Sequence, residues 1–147
     1  MRIRAQGFSL LELLIVVVIM GMVYVLVPGM IFGGVSGADL RASSRDIASG
    51  LRQARSLAVS ERREAFVTLD LDKRAFSLSG NARIFQLPEK LELKLYTTQS
   101  EIVNERQGSI RFFPDGSSTG GRVTVASGER KYLVEVDWLT GKVAILE

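Results

Sequence analysis

The run Gly7-Phe8-Ser9-Leu10-Leu11-Glu12 stands at the head of a long apolar segment, and no charged residue follows it before residue 39. Residues 13–32 are 20 residues without a charge. As a helix that rises ~1.5 Å per residue, they would span about 30 Å, the thickness of the hydrocarbon core of a bilayer. The pattern therefore predicts a transmembrane helix near the amino terminus, which Pro28 should kink or break.

Two arginines, Arg2 and Arg4, precede the apolar segment. By the positive-inside rule they keep the amino terminus in the cytoplasm, so the carboxyl-terminal domain lies outside. A secretory signal peptide cleaved near Ser36-Gly37-Ala38 is one alternative, although its apolar core would be shorter. A generic single-pass anchor fits the length. Neither alternative explains why an acidic residue, Glu12, stands at the head of the segment.

The junction of Gly7 and Phe8, with Glu12 beyond it, resembles the class III leader of type IV pilins and type II secretion pseudopilins. In that family a prepilin peptidase cuts after the glycine on the cytoplasmic side, and the new amino-terminal residue is N-methylated. The resemblance implies a leader peptide of residues 1–7, cleavage between Gly7 and Phe8, and methylation of Phe8. It also implies that Glu12 is the family's glutamate, which acts in subunit assembly.

A carboxylate beside an apolar helix is costly to bury. At depth in a bilayer the cost is on the order of a few kcal/mol, so the group needs a partner. Cleavage after Gly7 would create an α-ammonium group at Phe8. The ammonium group of a neighbouring subunit can then pair with Glu12 and set the axial register between subunits. In the alternative interpretation, Glu12 lies at the membrane interface and reaches for lipid head groups.

The composition excludes several kinds of catalyst. The chain has 147 residues, with no His and no Cys. Zinc sites, Ser-His-Asp and Cys-His nucleophiles, iron–sulfur clusters and disulfides therefore lack their usual residues. Lys and Arg number 19 against 16 Asp and Glu, which is only a mildly basic balance. We expect a protein that is not an enzyme and has no catalytic residue, no metal site and no cofactor.

From Asp39 the pattern predicts an amphipathic helix, and Asp39 can cap its start. The apolar residues that form one stripe at helical period are Leu40, Ile47, Leu51, Ala54 and Ala58. Arg41, Arg45, Arg52 and Arg63 lie together on a flank of this stripe, with Arg55 and Arg62 near it. A basic helix face either binds nucleic acid or anionic lipid, or is simply the solvated side of the helix.

After Glu64 the hydrophobic period changes to two, which predicts short strands. They are expected at residues 65–72, 76–79, 83–87, 91–96, 109–113, 122–125, 131–138 and 143–146. In the strand 131–138 the alternation places Tyr132, Val134, Val136 and Trp138 on one face, which should pack on the core. Because the helix stripe can cover the sheet, we expect an α+β domain on a stalk. With the leader resemblance, this is a type IV pilin-like fold, a long amino-terminal transmembrane helix followed by an antiparallel β-sheet domain.

Two carboxyl-terminal stretches, residues 109–125 and 136–143, resemble GspH-type minor pseudopilins of type II secretion, which share their domain with FimT/FimU-type minor pilins. The resemblance implies a membrane helix at residues 8–38 and a periplasmic domain at residues 39–147, with a single pass through the bacterial inner membrane. It also implies a low-copy subunit at or near the pseudopilus tip. Its expected partners are other minor pseudopilins, the major pseudopilin, the inner-membrane assembly platform and the prepilin peptidase.

Two alternative functions stay open. A FimT/FimU-like minor pilin of a type IV pilus would bind DNA for uptake, and a membrane-tethered enzyme or binding module would carry an unrelated domain. Acids interrupt the carboxyl-terminal basic residues, so binding to nucleic acid is not expected. An enzyme would require acid/base pairs, and none is visible in the sequence.

Two further segments contain polar side chains that could bind a ligand. Asp70 and Asp72 are two residues apart on a predicted strand, so they share a face that either holds Ca²⁺ or is simply solvated. Residues 114–121 read as a mobile hairpin loop with a strong turn signal at Pro114, Asp115 and Gly116. The loop could also be an anion nest or a cation site. These three residues are our candidates for contact with a partner.

Overall fold

A computed structural model describes residues 9–31 and 35–147 of the chain. The chain divides into two compact units, Met1–Gly33 and Gly34–Glu147. The first unit holds one described helix, α1 (Leu10–Ile31). The second unit begins with helix α2 (Gly37–Glu61), which all the described strands follow.

Helix α1 is apolar around its whole circumference. Ser9 caps it, because the Ser9 Oγ accepts a hydrogen bond from the backbone N–H of Glu12 at 3.2 Å. The side chains of residues 10–23 are exposed on every side of the helix. The helix continues through Pro28 to Ile31, so the break predicted at this proline does not occur. In the described parts of the chain, no helix has both the length and the apolarity needed to cross a membrane.

Helix α2 begins two residues earlier than predicted, and its cap is Ser36 rather than Asp39. The Ser36 Oγ accepts a hydrogen bond from the Asp39 backbone N–H at 3.1 Å and donates one to the Asp39 Oδ2 at 2.8 Å. The serine thus satisfies a donor of the first turn, and the acidic residue three positions later completes a reciprocal pair. Arg62, which has a left-handed backbone (φ 50°), ends the helix.

Nine strands follow in the described chain, and they form two antiparallel sheets. They are β1 (Ala65–Asp70), β2 (Ala75–Leu78), β3 (Ile84–Gln86), β4 (Glu92–Thr97), β5 (Ile102–Asn104), β6 (Gln107–Phe112), β7 (Gly121–Ser127), β8 (Arg130–Val136) and β9 (Val143–Leu146). The first sheet has the order β3-β2-β1-β6-β5, and the second has the order β4-β7-β8-β9. The α+β class with an antiparallel sheet domain is therefore confirmed.

The strands β5 and β8 differ from the prediction. Strand β5 was not predicted, because it has only three residues and all of them are exposed. Strand β8 ends at Val136, so Trp138 lies beyond it in a turn and is 66% exposed. Tyr132, Val134 and Val136 do face the core. The alternation was correct along the strand but was extended two residues too far.

The core lies between α2 and the two sheets, since α2 contacts strands of both. The predicted apolar stripe of α2 is buried along its whole length, and Leu40, Ile47 and Leu51 are each 1% exposed. Gly50 lets the helix approach the first sheet closely. A Cβ atom at this position would lie 2.8 Å from the Phe76 ring. Glycine lowers helix stability by about 1 kcal/mol relative to alanine, and here that cost allows Phe76 to pack beneath the helix.

Candidate functional site

The amino-terminal site residues fall in two parts of the chain. Gly7 and Phe8 lie outside the described residues, so cleavage between them and methylation of Phe8 stay predictions. Glu12 lies exposed in the first turn of α1. An acidic side chain in a first turn interacts favourably with the helix dipole, which is sufficient reason for a stable helix start. Its role in assembly stays a prediction.

The loop of residues 114–121, predicted as a possible partner contact, is tied to its surroundings by hydrogen bonds. The Ser118 backbone N–H donates to the Trp138 carbonyl oxygen at 2.8 Å, and the Ser118 Oγ donates to the Arg111 carbonyl oxygen at 2.8 Å. The Gly120 N–H donates to the Ser118 Oγ at 3.0 Å. Ser118 is buried, at 5% exposure. The loop is therefore anchored through a buried hydroxyl, which a loosely attached hairpin loop would lack.

The tip of this loop contains the three named candidates, and they differ in exposure. Pro114 and Asp115 are exposed, whereas Gly116 is buried. The Asp115 Oδ1 accepts hydrogen bonds from the Ser117 Oγ at 2.5 Å and from the Ser117 N–H at 2.9 Å. These bonds hold the pKa of Asp115 below its usual value. Only Pro114 and Asp115 can therefore contact a partner through their side chains.

A groove of about 720 Å³ lies beside the loop, at one end of the second sheet. The strand registers place Tyr96, Arg122, Glu135 and Ala144 side by side across β4, β7, β8 and β9, and all four line the groove. Arg122 and Glu135 form an ion pair. Tyr96 is 76% exposed, and Trp138, which also lines the groove, is 66% exposed. We call this feature the Tyr96–Trp138 groove.

A tight turn after β8 holds Trp138 in place. The Asp137 Oδ1 accepts hydrogen bonds from the Thr140 N–H at 2.7 Å, the Thr140 Oγ1 at 2.8 Å and the Leu139 N–H at 3.1 Å. The backbone bond from Thr140, then its hydroxyl bond, hold the pKa of Asp137 below its usual value. The Gly141 N–H also donates to the Asp137 carbonyl oxygen at 2.9 Å. The indole is therefore exposed on a backbone that is already ordered.

The arginines along α2 mostly contact the domain itself. The Arg52 Nη2 donates to the Val143 carbonyl oxygen at 3.2 Å, and the Arg55 Nε donates to the Gly116 carbonyl oxygen at 3.1 Å. The Arg41 Nη2 lies 3.9 Å from the Glu147 Oε1. These three arginines therefore already have partners within the domain. A nucleic-acid interface on this helix would need a row of cations that are available to phosphate groups.

Asp70 and Asp72 each have partners within the protein. Strand β1 ends at Asp70, so Asp72 lies in the turn, and the prediction that they share a strand face was wrong. The Asp70 Oδ1 accepts from the N–H groups of Asp72 and Lys73, at 3.1 Å and 2.9 Å. Asp72 pairs with Arg106 at 3.2 Å. Within residues 9–31 and 35–147, no group of three or more acidic side chains could hold a metal ion.

Sequence analysis missed one ionic cluster, which joins the segment between α2 and β1 to strand β6 of the first sheet. Glu101 is 8% exposed, and its Oε1 accepts from the Arg111 Nε at 2.9 Å. Arg111 also donates to Glu64 at 2.7 Å, and its guanidinium lies 5.2 Å from the centre of the Phe66 ring. The hydrogen bonds to Glu101 and then Glu64 raise the pKa of Arg111. The partners are far apart in the sequence, so no local pattern reveals them.

Two solved structures share this fold. The type IV minor pilin FimU of Pseudomonas aeruginosa is 17% identical, with a TM-score of 0.58 over 75% of this chain and 90% of that chain. The minor pseudopilin EpsH of Vibrio cholerae is 13% identical, with a TM-score of 0.59 over 74% of this chain and 96% of that chain. The helix, the two sheets and these likenesses define a pilin-like fold.

The sequence comparisons narrow this class to one family. Residues 2–26 match the prokaryotic N-terminal methylation motif. Residues 43–140 match the family described as type II transport protein GspH. The type II secretion system protein H of Xanthomonas campestris pv. campestris is 32% identical over 142 residues, which is 97% of this chain and 83% of that protein. The chain belongs to the GspH family.

Proposed function

We propose that the chain is a minor pseudopilin of a type II secretion system, a structural subunit at or near the tip of the periplasmic pseudopilus. In this role it supports secretion of proteins across the outer membrane. The observation that carries the proposal is the GspH-family match of residues 43–140 on the same chain as an N-terminal methylation motif. The fold likenesses do not choose between pilus and secretion, because their TM-scores of 0.58 and 0.59 are equivalent.

The proposal assigns residues 1–7 to a leader, residues 8–38 to the membrane and assembly helix, and residues 39–147 to the periplasmic domain. A single pass in the inner membrane anchors the protein before assembly. Helix α1 supports this assignment, since its apolar side chains, such as Leu14 and Val17, are about 60% exposed (58% and 59%). A surface this apolar needs lipid or other helices to cover it. The lipid or helices that cover this surface must also provide a partner for the carboxylate of Glu12.

The expected partners are other minor pseudopilins, the major pseudopilin, the inner-membrane assembly platform and the prepilin peptidase. The exposed tip of the 114–121 loop, at Pro114 and Asp115, is a candidate contact, and Gly116 supports it from inside. The role is structural rather than catalytic. The chain has no His or Cys, and the three pKa shifts resolved among the described residues belong to Arg111, Asp115 and Asp137, each explained by a local hydrogen bond.

Crosslinking in cells tests the assembly role. Glu12→Ala should leave membrane insertion intact, because insertion depends on apolar length. It should reduce crosslinking to partner pseudopilins and reduce secretion, because the pairing with a neighbour's α-ammonium is lost. Leu14→Ala, two residues along the same helix, is the matched control for lost side-chain volume and should reduce both much less than Glu12→Ala does. Undiminished crosslinking and secretion in Glu12→Ala would make Glu12 an interface residue only.

The mass of the membrane-extracted protein tests the processing. A mature chain that starts at Phe8 and carries one extra methyl group is expected. A chain that starts at Asp39 would show an ordinary signal peptide and remove the assembly helix altogether.

The FimT/FimU-like alternative, a pilus subunit that binds DNA, is kept open by the fold likeness to FimU. The contacts of Arg41, Arg52 and Arg55 within the domain argue against it. We expect no binding when full-length protein in detergent is titrated with duplex DNA at about 150 mM salt. Binding at micromolar concentration that falls steeply with added salt would favour the alternative.

A further inference from the structure

A second, smaller pocket of about 410 Å³ lies between α2 and the turn that joins β8 to β9. Arg52 and Arg55 are three residues apart, so they are neighbours on one side of α2. The turn contributes a third cation, Lys142. We call this feature the Arg52–Lys142 pocket, and it is lined by Arg52, Arg55, Thr140, Gly141, Lys142 and Val143. Three of these six residues are cations, and none of the six is acidic.

The bonds that hold the two arginines in place are bonds to uncharged groups. The Arg52 Nη2 donates to the Val143 carbonyl oxygen at 3.2 Å, and the Arg55 Nε donates to the Gly116 carbonyl oxygen at 3.1 Å. A guanidinium group has five N–H donors, so one such bond leaves most of them for a ligand. Because a carbonyl group has no net charge, these bonds orient the arginines without neutralising them.

Two glycines fix the position of Arg55 more closely. Gly116 and Gly141 both have a positive φ, of 87° and 62°. A Cβ atom at Gly116 would lie 3.2 Å from the Arg55 Nη2, and one at Gly141 would lie 2.8 Å from the Arg55 Nε. The guanidinium therefore lies against two backbone segments at a distance that a side chain would prevent. A ligand would meet a cation that is already in place, which lowers the entropy cost of binding.

The acidic side chains of the two adjoining loops have partners in their own turns. The Asp115 Oδ1 accepts hydrogen bonds from Ser117, and the Asp137 Oδ1 accepts them from Thr140. Lys142 is near enough to Asp137 to help lower the pKa of that carboxyl, although the two form no ion pair. Over residues 9–31 and 35–147, none of the three cations of the pocket is paired with a carboxylate. The pocket thus has an excess of positive charge, which favours an anionic ligand.

The surroundings of the pocket indicate which kind of anion fits. Trp138 and Leu139, which directly precede Thr140 of the lining, are 66% and 63% exposed. Apolar surface beside a cationic pocket suits a protein segment in which an acidic residue has apolar neighbours. A nucleic acid would instead need cations spaced along its phosphates, and Arg41 of the same helix lies 3.9 Å from the Glu147 carboxylate.

We infer that the Arg52–Lys142 pocket binds a side-chain carboxylate of a partner protein, and that apolar neighbours of this acidic residue contact Trp138 and Leu139. The inference rests on the proposed function only in placing that partner among the subunits of the pseudopilus. Binding of an acidic segment by the pocket can be measured without it.

Peptide titration tests the charge and the apolar contact separately. Full-length protein in a neutral detergent is titrated at about 50 mM salt with a labelled, blocked peptide that has Leu-Glu-Leu between Gly-Ser flanks, and anisotropy is measured. We expect a Kd below about 1 mM. A Leu-Gln-Leu peptide should bind at least about tenfold more weakly, because it keeps the shape and loses the charge. A Gly-Glu-Gly peptide should bind at least about threefold more weakly, because it loses the apolar contact.

The single tryptophan gives a second readout, since the emission of Trp138 should shift to shorter wavelength with Leu-Glu-Leu but not with Gly-Glu-Gly. Competition distinguishes the sources of the anion. Inorganic phosphate and duplex DNA, each compared at equal concentration of anionic groups, should displace the Leu-Glu-Leu peptide less effectively than unlabelled peptide does. Displacement by either at a lower concentration would make the pocket a phosphate or nucleic-acid site.

Substitutions then locate the site. Arg52→Gln and Lys142→Gln should each weaken binding of the Leu-Glu-Leu peptide by about fivefold or more. Arg45→Gln is the matched control, because it removes the same charge from the same helix outside the pocket, and it should change binding by less than about twofold. All three side chains are exposed, so their loss should not unfold the domain, and circular dichroism of each variant checks this.

No binding of Leu-Glu-Leu up to about 1 mM, equal binding of Leu-Gln-Leu, wild-type affinity in Arg52→Gln or Lys142→Gln, or an equal loss in Arg45→Gln would each overturn the inference. Any of these results with intact crosslinking through Glu12 would refute the pocket assignment alone. Peptide binding as expected without any pseudopilin crosslink would instead refute the proposed function and leave the pocket assignment standing.

Discussion

Helices α1 and α2 are both long and both rich in aliphatic residues, yet they place those residues in opposite surroundings. In α1 the apolar side chains of residues 10–23 lie on every side of the helix and are exposed, with Leu10 at 85% and Leu14 at 58%. In α2 they form one stripe, and Leu51 and Ala54 are at 1% and 0%. One helix has buried its apolar face within its own unit, and the other has not.

The difference shows where each helix obtains its stability. The stripe of α2 is covered by two sheets, so its burial contributes to the folding of the domain. The apolar surface of α1 can be removed from water only by something outside its unit. The polar residues follow the same division. Arg52 and Arg55 of α2 contact carbonyl groups of the domain, whereas Glu12 of α1 is exposed.

The largest expected effect compares one leucine from each helix. Leu51→Ala should lower the free energy of unfolding of the domain by about 2–5 kcal/mol, because it leaves a cavity between α2 and the sheets. Leu14→Ala should change it by less than about 0.5 kcal/mol. Urea titration of the full chain in detergent, followed by Trp138 fluorescence, measures both. Similar effects at the two positions would mean that α1 also contributes to the domain's core.

The next effect concerns the turn that packs against α2. Gly141 has a φ of 62°, and a Cβ atom there would collide with the Gly116 carbonyl oxygen and lie 2.8 Å from the Arg55 Nε. Gly128 has nearly the same φ, 61°, with nothing within 4 Å. Gly128→Ala should therefore cost about 1–2 kcal/mol through backbone strain alone. Gly141→Ala should cost about 1–3 kcal/mol more through the collision.

Thermal or urea unfolding of both glycine variants measures the difference. If the two alanines cost the same, the turn moves freely away from α2, and the packing of the helix against it contributes nothing to stability.

A smaller effect separates two arginines of α2. Arg55→Met keeps the aliphatic stem but removes the hydrogen bond to the Gly116 carbonyl oxygen, and it should cost about 0.5–1.5 kcal/mol. Arg45→Met is the control, since Arg45 makes no ion pair or side-chain hydrogen bond with the described residues; it should be nearly neutral. If Arg45→Met lowers the free energy of unfolding as much as Arg55→Met does, the positive charge of the helix stabilises the loop rather than the hydrogen bond from Arg55.

The smallest effect is a dependence on pH. Hydrogen bonds lower the pKa of Asp137 and of Asp115 below the ordinary value of 3.8. Their contribution to stability is therefore complete above that value and is lost as the pH falls below 3.8 through the lowered folded-state pKa. Asp137→Asn should reduce the loss of stability between about pH 5 and pH 2. An unchanged pH profile in the variant would mean that the turn does not depend on the charge of Asp137.

The sequence predicted helices and strands well where the same hydrophobic period continues over several helical turns or along a whole strand. The stripe from Leu40 to Ala58 is buried as expected, and the strand 143–146 was predicted with its exact bounds. Patterns failed at element ends, where few residues carry the signal. The helix cap is Ser36 rather than the predicted Asp39, and the strand predicted to include Trp138 ends two residues earlier.

The candidate sites were predictable only in part. The turn at Pro114, Asp115 and Gly116 followed from turn chemistry, but its anchoring through Ser118 and Arg55 depends on residues distant in the sequence. The Arg111 cluster with Glu64 and Glu101 gave no sequence signal, for the same reason. The Tyr96–Trp138 groove requires the register of four strands, and no short-range pattern specifies that register.

The amino-acid sequence by itself determined the division into an apolar helix and an α+β domain, the absence of His and Cys chemistry, and the order of helix and strands, because each depends on composition or on a repeat within a few residues. Only the tertiary structure decided that the strands form two sheets, that Arg52 and Arg55 of α2 bond to carbonyl groups, and that Trp138 is exposed. These features depend on which distant segments meet. The free energy of such contacts comes from packing and pairing across the whole domain rather than from any local propensity.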